Sequence, residues 1–287
     1  MPDKPSLILN ECPRDAMQGL FYFVPTETKI RYTNLLLNVG FSRLDFGSFV
    51  SPKAIPQLRD TAEVIGKLDL SQTKTKLLAI VANSRGAEQA VEFEEVTFLG
   101  FPLSISETFQ QRNTNKSIQE AVEEIQKIQN LCLIRNKKLV VYLSMAFGNP
   151  YGDAYSPELV LNTGDKLLEM GIGHFALSDT VGLASPEEVQ LLFKAVSNPW
   201  KSIELTAHLH ASPEMVKPKI EAAWNAGCRR FDVALGGYGG CPMAEDELVG
   251  NLSTEQVLAW AKENNLSTSL NMNALEKARE MMFEVFH

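Results

Sequence analysis

Cysteine is scarce in this chain of 287 residues. The four present, Cys12, Cys132, Cys228 and Cys241, form no CxxC pair and no dense framework. That excludes a disulfide-stapled scaffold and reads as free thiols of a cytoplasmic protein. Long apolar runs are also missing. None approaches the ~20 residues that span a bilayer, and the polar start Met1-Pro2-Asp3-Lys4-Pro5 has no apolar signal core. A basic excess is absent too. With Lys+Arg at 27 against Asp+Glu at 35, the net charge is −8, which argues against a nucleic-acid partner. An anionic small molecule stays open, because a local Arg or a metal outweighs global charge.

A Gly-rich GxGxxG turn is lacking after the first apolar run, where Asn10-Glu11-Cys12-Pro13-Arg14-Asp15 stands instead. This weighs against an open doubly wound dinucleotide fold. What the chain does have is repetition. Eight short apolar runs occur at Ser6–Cys12, Arg43–Phe46, Lys76–Ala82, Val96–Leu99, Lys138–Leu143, His174–Leu177, Ile203–His208 and Arg230–Ala234. Their length and β-branched content are those of strands covered on both faces.

Helical patterns lie between these runs. Ile118, Ala121, Val122, Ile125, Ile128 and Cys132 make one stripe, started by a Ser117/Glu120 capping box. Ser156-Pro157-Glu158, Ser185-Pro186-Glu187, Ser212-Pro213-Glu214 and Ser51-Pro52 read as further helix starts. Eight strand–helix units make an α/β fold, a (β/α)8 TIM barrel, with no linker: one catalytic domain over 1–287. The barrel is expected over about 5–265 and a C-terminal helical extension over 266–287. The helical pattern at Asn273–Phe286, with apolar Met281-Met282-Phe283, packs on the barrel or against a partner in a homodimer.

In such barrels the site lies at the C-terminal ends of the strands. His208-Leu209-His210 ends the seventh run, and i, i+2 spacing on a strand turns both imidazoles to the lumen. Two readings fit: a divalent-metal pair, or two hydrogen-bonded histidines. Arg14-Asp15 ends the first run, as an oxyanion donor beside an oxygen ligand or as a plain ion pair. Asp45 either orients Arg14 or a water, or caps the next helix. Gly236-Gly237-Tyr238-Gly239-Gly240-Cys241-Pro242 reads as a lid whose thiol transfers protons or is inert. Asn251 is a neutral oxygen ligand or an ordinary turn residue.

Taken together, these segments resemble the 3-hydroxy-3-methylglutaryl-CoA lyase family, among the metal-dependent barrel lyases and Claisen-type synthases. The resemblance runs through Cys12-Pro13-Arg14-Asp15-Ala16-Met17-Gln18, Ser48-Phe49-Val50-Ser51-Pro52-Lys53, Ser104-Ile105-Ser106-Glu107, Ser178-Asp179-Thr180-Val181-Gly182, His208-Leu209-His210 and Gly240-Cys241-Pro242 with Gly250-Asn251-Leu252. The Ser-Phe-Val-Ser-Pro-Lys and Gly-Cys-Pro segments are characteristic of the lyases; Arg-Asp and HxH are shared with the synthases. The resemblance implies metal ligands Asp15, His208, His210 and Asn251 for Mg or Mn. It implies a catalytic set of Arg14, Asp15, Asp45, His208 and Cys241, with an acyl-CoA thioester as substrate. The implied reaction is a retro-Claisen cleavage to acetoacetate and acetyl-CoA. Synthases usually carry further C-terminal domains, so the short C-terminal stretch here points to cleavage. A related aldolase or synthase, or a barrel that binds metal without turnover, are the other readings.

The chain departs from the family pattern in several places. Asp45 stands where the family has Glu. Ala211-Ser212 replaces Asp-Thr after HxH, Gly19-Leu20 replaces Asn-Glu after Gln18, and Asn149 replaces a Cys. The Cys241–Asn251 interval is one residue longer. None of these removes a matched ligand; each bears on the substrate.

Overall fold

The computed structural model describes residues 6–240 and 249–287. Eight parallel strands close a barrel in sequence order. They are β1 (Ile8–Glu11), β2 (Arg43–Ser48), β3 (Lys76–Ile80), β4 (Val96–Ser104), β5 (Lys138–Ser144), β6 (His174–Asp179), β7 (Glu204–Leu209) and β8 (Arg230–Val233). Rungs such as Asn10 opposite Arg43 and Ile8 opposite Arg230 join β1 to both neighbours. Helices cover the outside: α1 (Pro13–Gln18), α2 (Thr26–Val39), α3 (Thr61–Ile65), α4 (Ser84–Ala90), α5 (Glu107–Thr114) and α6 (Ile118–Ile134), then α7 (Pro157–Glu169), α8 (Pro186–Ser197), α9 (Val216–Asn225), α10 (Thr254–Glu263) and α11 (Met272–Phe286).

All eight expected strands form. β4 runs five residues further than its apolar stretch, through Gly100 and Pro102. Gly100 faces the lumen, where a Cβ would lie 2.5 Å from Ile80. Pro102 lies past the last rung shared with β3, Ile80 opposite Gly100, so its missing N–H breaks no ladder there. The capping boxes at Ser117/Glu120 and Ser185/Glu188 are present, and Ser156 caps α7.

Two expected helix starts are not found. Ser212-Pro213-Glu214 forms a turn, with α9 starting at Val216; the Ser212 hydroxyl bonds the Glu214 carboxylate instead of a helix N–H. Ser51-Pro52 likewise turns without a helix, its hydroxyl accepting from the Lys53 N–H at 3.3 Å, and a single 3-10 turn follows at Pro56–Leu58.

The main core lies between sheet and helices, and a second cluster of Leu78, Ile80, Phe98, Val140, Tyr142 and Ala176 fills the lumen. Below it, Glu204 accepts from Arg43, and from Arg230 at 2.9 Å. Burial opposes its charge, but His174, Arg43 and Arg230 hold its pKa down to about 2. At the C-terminus, α11 packs on α2, burying Met281 and Met282 within the chain and leaving Phe283 exposed.

One buried carboxyl ties the barrel to its last connection. Glu11 accepts the Leu235 N–H and the Thr254 hydroxyl, both at 2.7 Å, so it grips both ends of the segment between β8 and α10. Burial pushes its pKa up to about 8, with those hydrogen bonds pulling partly back. Between pH 4.5 and 8 the folded chain therefore keeps a proton that the unfolded chain releases, and stability falls as pH rises, by at most about 1.4 kcal/mol per unit. Glu11→Gln mimics the protonated form. In urea melts from pH 5 to 8, the variant is expected to gain on the wild type by on the order of a few kcal/mol. Parallel stability curves would show that Glu11 is ionised throughout.

Candidate active site

The C-terminal strand ends converge above the lumen cluster. Arg14 and Asp15 sit in the first turn of α1, directly after β1. His208 lies near the end of β7 and His210 just past it. Both imidazoles are buried, and their Nε2 atoms face each other at 3.4 Å. Each Nδ1 is taken: His208 Nδ1 lies 3.0 Å from the Asp232 carboxylate and His210 Nδ1 2.7 Å from the Val249 carbonyl. An acceptor at Nδ1 places the proton there and leaves the Nε2 lone pairs pointing inward. Donor atoms of Asp15, His208 and His210 all lie within 4.8 Å of one another.

Asp15 is held on both oxygens. Oδ1 accepts from Arg14 (2.8 Å) and Gln18 (2.7 Å), and Oδ2 from the Asn251 amide (2.8 Å). That amide also donates to the Tyr238 carbonyl. Gly239 makes the approach possible: a Cβ there would lie 2.3 Å from the Asn251 side chain, and its φ is +117°. Asn251 is thus a tightly placed partner of Asp15, more than an ordinary turn residue.

Asp45 lies within β2, not at its end, and its partner is Arg14. Arg14 Nε donates to both Asp45 oxygens at 3.0 and 3.1 Å, and Nη2 to one at 2.5 Å. The helix-capping alternative for Asp45 is therefore excluded. Cys241 lies outside the described residues. The other three cysteines are free and buried. Lys53 is exposed, and Arg112 stacks on the Tyr151 ring at 4.6 Å.

The electrostatics point one way. Asp15 and Asp45 are buried against Arg14, and Asp232 is buried against His208. Burial raises the Asp45 pKa to about 6 despite Arg14. For Asp15, burial is outweighed by Arg14 and the two histidines, and its pKa drops to about 2. His208 resists burial and is raised, because Asp232 and Asp15 draw a proton to it; His210 is lowered by burial and by His208. The site lacks positive charge, and two imidazole nitrogens with carboxylate and amide groups suit a hard or borderline divalent cation. Two cis ligands at ~2.1 Å from one ion stand roughly 3 Å apart, close to the spacing of the two Nε2 atoms.

Three contributors escape a reading of spacing alone. Gln18 joins Arg14 and Asp15 from one helical turn away, an i+3/i+4 relation that α1 makes visible. Asp232 is a lone acid within an apolar strand, and that isolation was its signal. Tyr142 lines the cavity, edge-on to His208. The β2–β4 side of that cavity carries Val50, Ile80 and Pro102; its β5–β6 side carries Ser144, Ser178 and Thr180.

A family model described as HMGL-like matches residues 7–282. The chain belongs to the HMGL-like family. A hydroxymethylglutaryl-CoA lyase of Bacillus subtilis is 32% identical over 275 residues, covering 95% of this chain and 90% of that protein. An (R)-citramalyl-CoA lyase of Chloroflexus aurantiacus is 29% identical over 286 residues, 96% and 89% of the two chains. Among solved structures, an HMG-CoA lyase from Acinetobacter baumannii in complex with coenzyme A and 3-methylmalate superimposes with a TM-score of 0.92 at 31% identity, covering 98% of this chain and 92% of that one.

In this HMGL-like chain, Asp232 is what orients His208. Asp232→Asn keeps the shape but removes the anion that fixes the Nδ1 proton. Mn2+ affinity, read as free Mn2+ by electron paramagnetic resonance, is expected to fall about 10–100-fold. Unchanged affinity would remove His208 from the ligand set or Asp232 from its control.

Proposed function

We propose that the chain is a divalent-metal-dependent lyase acting on 3-hydroxy-3-methylglutaryl-CoA or a close 3-hydroxyacyl-CoA. The supporting observation is the pairing, on one rim, of the Asp15/His208/His210 donors with an Arg14 guanidinium locked by Asp45. Asp15, His208, His210 and Asn251 would hold Mg or Mn. When bound, such a cation acidifies the tertiary alcohol of the substrate and anchors it.

The chain's own groups do the rest. Arg14 spends its Nε hydrogen and one Nη2 hydrogen on Asp45, and its Nη1 group on Asp15 and Gln18. The second Nη2 hydrogen is left for the substrate's thioester oxygen. Cleavage starts when the C3 hydroxyl gives its proton to a base of the rim set Asp15, Asp45 and His208, and that proton later restores the Cys241 thiol. The C2–C3 bond breaks, the C3 oxygen becomes a ketone, and the electron pair moves onto the thioester as an enolate. Arg14 stays charged beside Asp45 and Asp15 and stabilises that oxyanion. Tyr142 keeps its proton, as burial and the nearby Asp232 and Asp45 raise its pKa, and offers a neutral hydrogen-bond donor in the cavity. Cys241, on the connection that Glu11 grips, returns a proton to C2. The products are acetoacetate and acetyl-CoA, balanced with no other reactant.

A second substrate is favoured by one observation: the citramalyl-CoA lyase is about as similar as the hydroxymethylglutaryl-CoA lyase. Both are branched hydroxyacyl-CoA thioesters, and both cleavages release acetyl-CoA. The deciding experiment supplies Mg2+ or Mn2+ and follows acetyl-CoA release from 3-hydroxy-3-methylglutaryl-CoA and from both citramalyl-CoA enantiomers. Release from the first supports the primary reading, release from citramalyl-CoA alone supports the second, and release from none defeats both. His208→Ala is expected to lose metal binding and cleavage together. Cys241→Ser is expected to stay folded with turnover down by about 10²-fold or more, the usual size of a lost proton donor; near-wild-type kinetics would remove the thiol from proton transfer.

A further inference from the structure

Opposite the cavity, behind His210, lies a buried lysine that none of this chemistry uses. Lys219 projects from the first turn of α9, and its side chain is 1% exposed. Its ammonium has three hydrogens and three acceptors: Asp179 Oδ2 at 2.6 Å, the His210 carbonyl at 2.9 Å and the Gly182 carbonyl at 3.0 Å. These belong to the end of β6, the loop after it and the end of β7. Asp179 in turn accepts the Ala184 N–H on its side chain and the His210 N–H on its carbonyl. The junction leaves no spare room, since a Cβ on Gly182 would sit 2.8 Å from Val249 and 3.3 Å from the His210 carbonyl.

His210 is thereby fixed at its N–H by Asp179, at its carbonyl by Lys219 and at Nδ1 by Val249, and only Nε2 faces the site. The residue after His210 is Ala211, a position where the family pattern carries a carboxylate, and the buried charge pair behind His210 here is Lys219 with Asp179. We propose that Lys219 is a positioning residue for metal binding: by tying Asp179 and the Gly182 loop to the His210 carbonyl, it aims the His210 Nε2 at the cation. Lys219 touches neither substrate nor metal and acts through His210. This rests on the reading of His210 as a ligand. The competing role is that Lys219 only neutralises Asp179 so that the acid can be buried.

Mn2+ titration of the full chain, read as free Mn2+ by electron paramagnetic resonance, separates these roles. His210→Ala is the reference. Lys219→Met removes all three donors, and Lys219→Met combined with Asp179→Asn also removes the stranded charge. The expected result is at least a tenfold loss of Mn2+ affinity in both Lys219 variants, with thermal stability recovered in the double variant alone. If the single variant does not fold, the double variant still decides. Wild-type affinity in the double variant, or in the single one, would reduce Lys219 to charge neutralisation and overturn the proposal. If His210→Ala itself binds Mn2+ as the wild type does, the ligand reading falls first and the positioning role with it.

Discussion

The structure depends on a charge imbalance held out of water. Two carboxylates, Asp15 and Asp45, are buried against one guanidinium, Arg14, and a third, Asp232, is buried against His208. Burying a charge without a counterion costs several kcal/mol, so such a group must find a cation or take up a proton. Asp45 and His208 both lean toward the proton, one through burial and the other through its acidic neighbours. A divalent cation held by Asp15, His208 and His210 would resolve the same imbalance. Among the described residues, Arg14 is the one cation paired with the carboxylates of this rim.

The barrel makes that arrangement rigid. Every group at the rim is held by a second contact from a different strand or loop. Asp45 comes from β2 to Arg14, Asp232 from β8 to His208, and Asn251 from the approach to α10 to Asp15. Lumen packing by Leu78, Ile80, Phe98 and Val140 forms the floor on which they stand. The carboxyl of Glu11 extends this outward, joining β1 to both stems of the connection that carries Gly239 and Asn251. Parallel closure matters because it directs all eight strand ends, and hence all these partners, to the same rim.

The eight strands and the Ser-capped helices were legible because each is a local pattern: apolar runs, a Pro at the first helical turn, an acid three residues after a serine. Expectation failed where the same letters had other partners. Ser212 bonds Glu214, and Ser51 closes a turn, so neither starts a helix. In the site, HxH and Arg-Asp could be singled out by spacing, whereas Asp232, Tyr142 and Lys219 could not. Their partners lie 24 positions away (Asp232 with His208), 40 positions away (Lys219 with Asp179) or on another strand (Tyr142 with His208). Closing the barrel is what brings them together, and no local signal encodes that.

The departures from the family pattern fall where this scaffold can absorb them. Asp45, one methylene shorter than Glu, still meets Arg14 side-on through Nε and Nη2. Asn149, in place of a cysteine, accepts the Tyr151 and Asp153 N–H groups and donates to the Asp153 carbonyl, so it organises the loop after β5. The Ala211 N–H donates to the Gly250 carbonyl at 3.0 Å, and the Lys219–Asp179 pair lies behind the adjoining His210. In each case the position is tied into its surroundings by polar contacts within the chain.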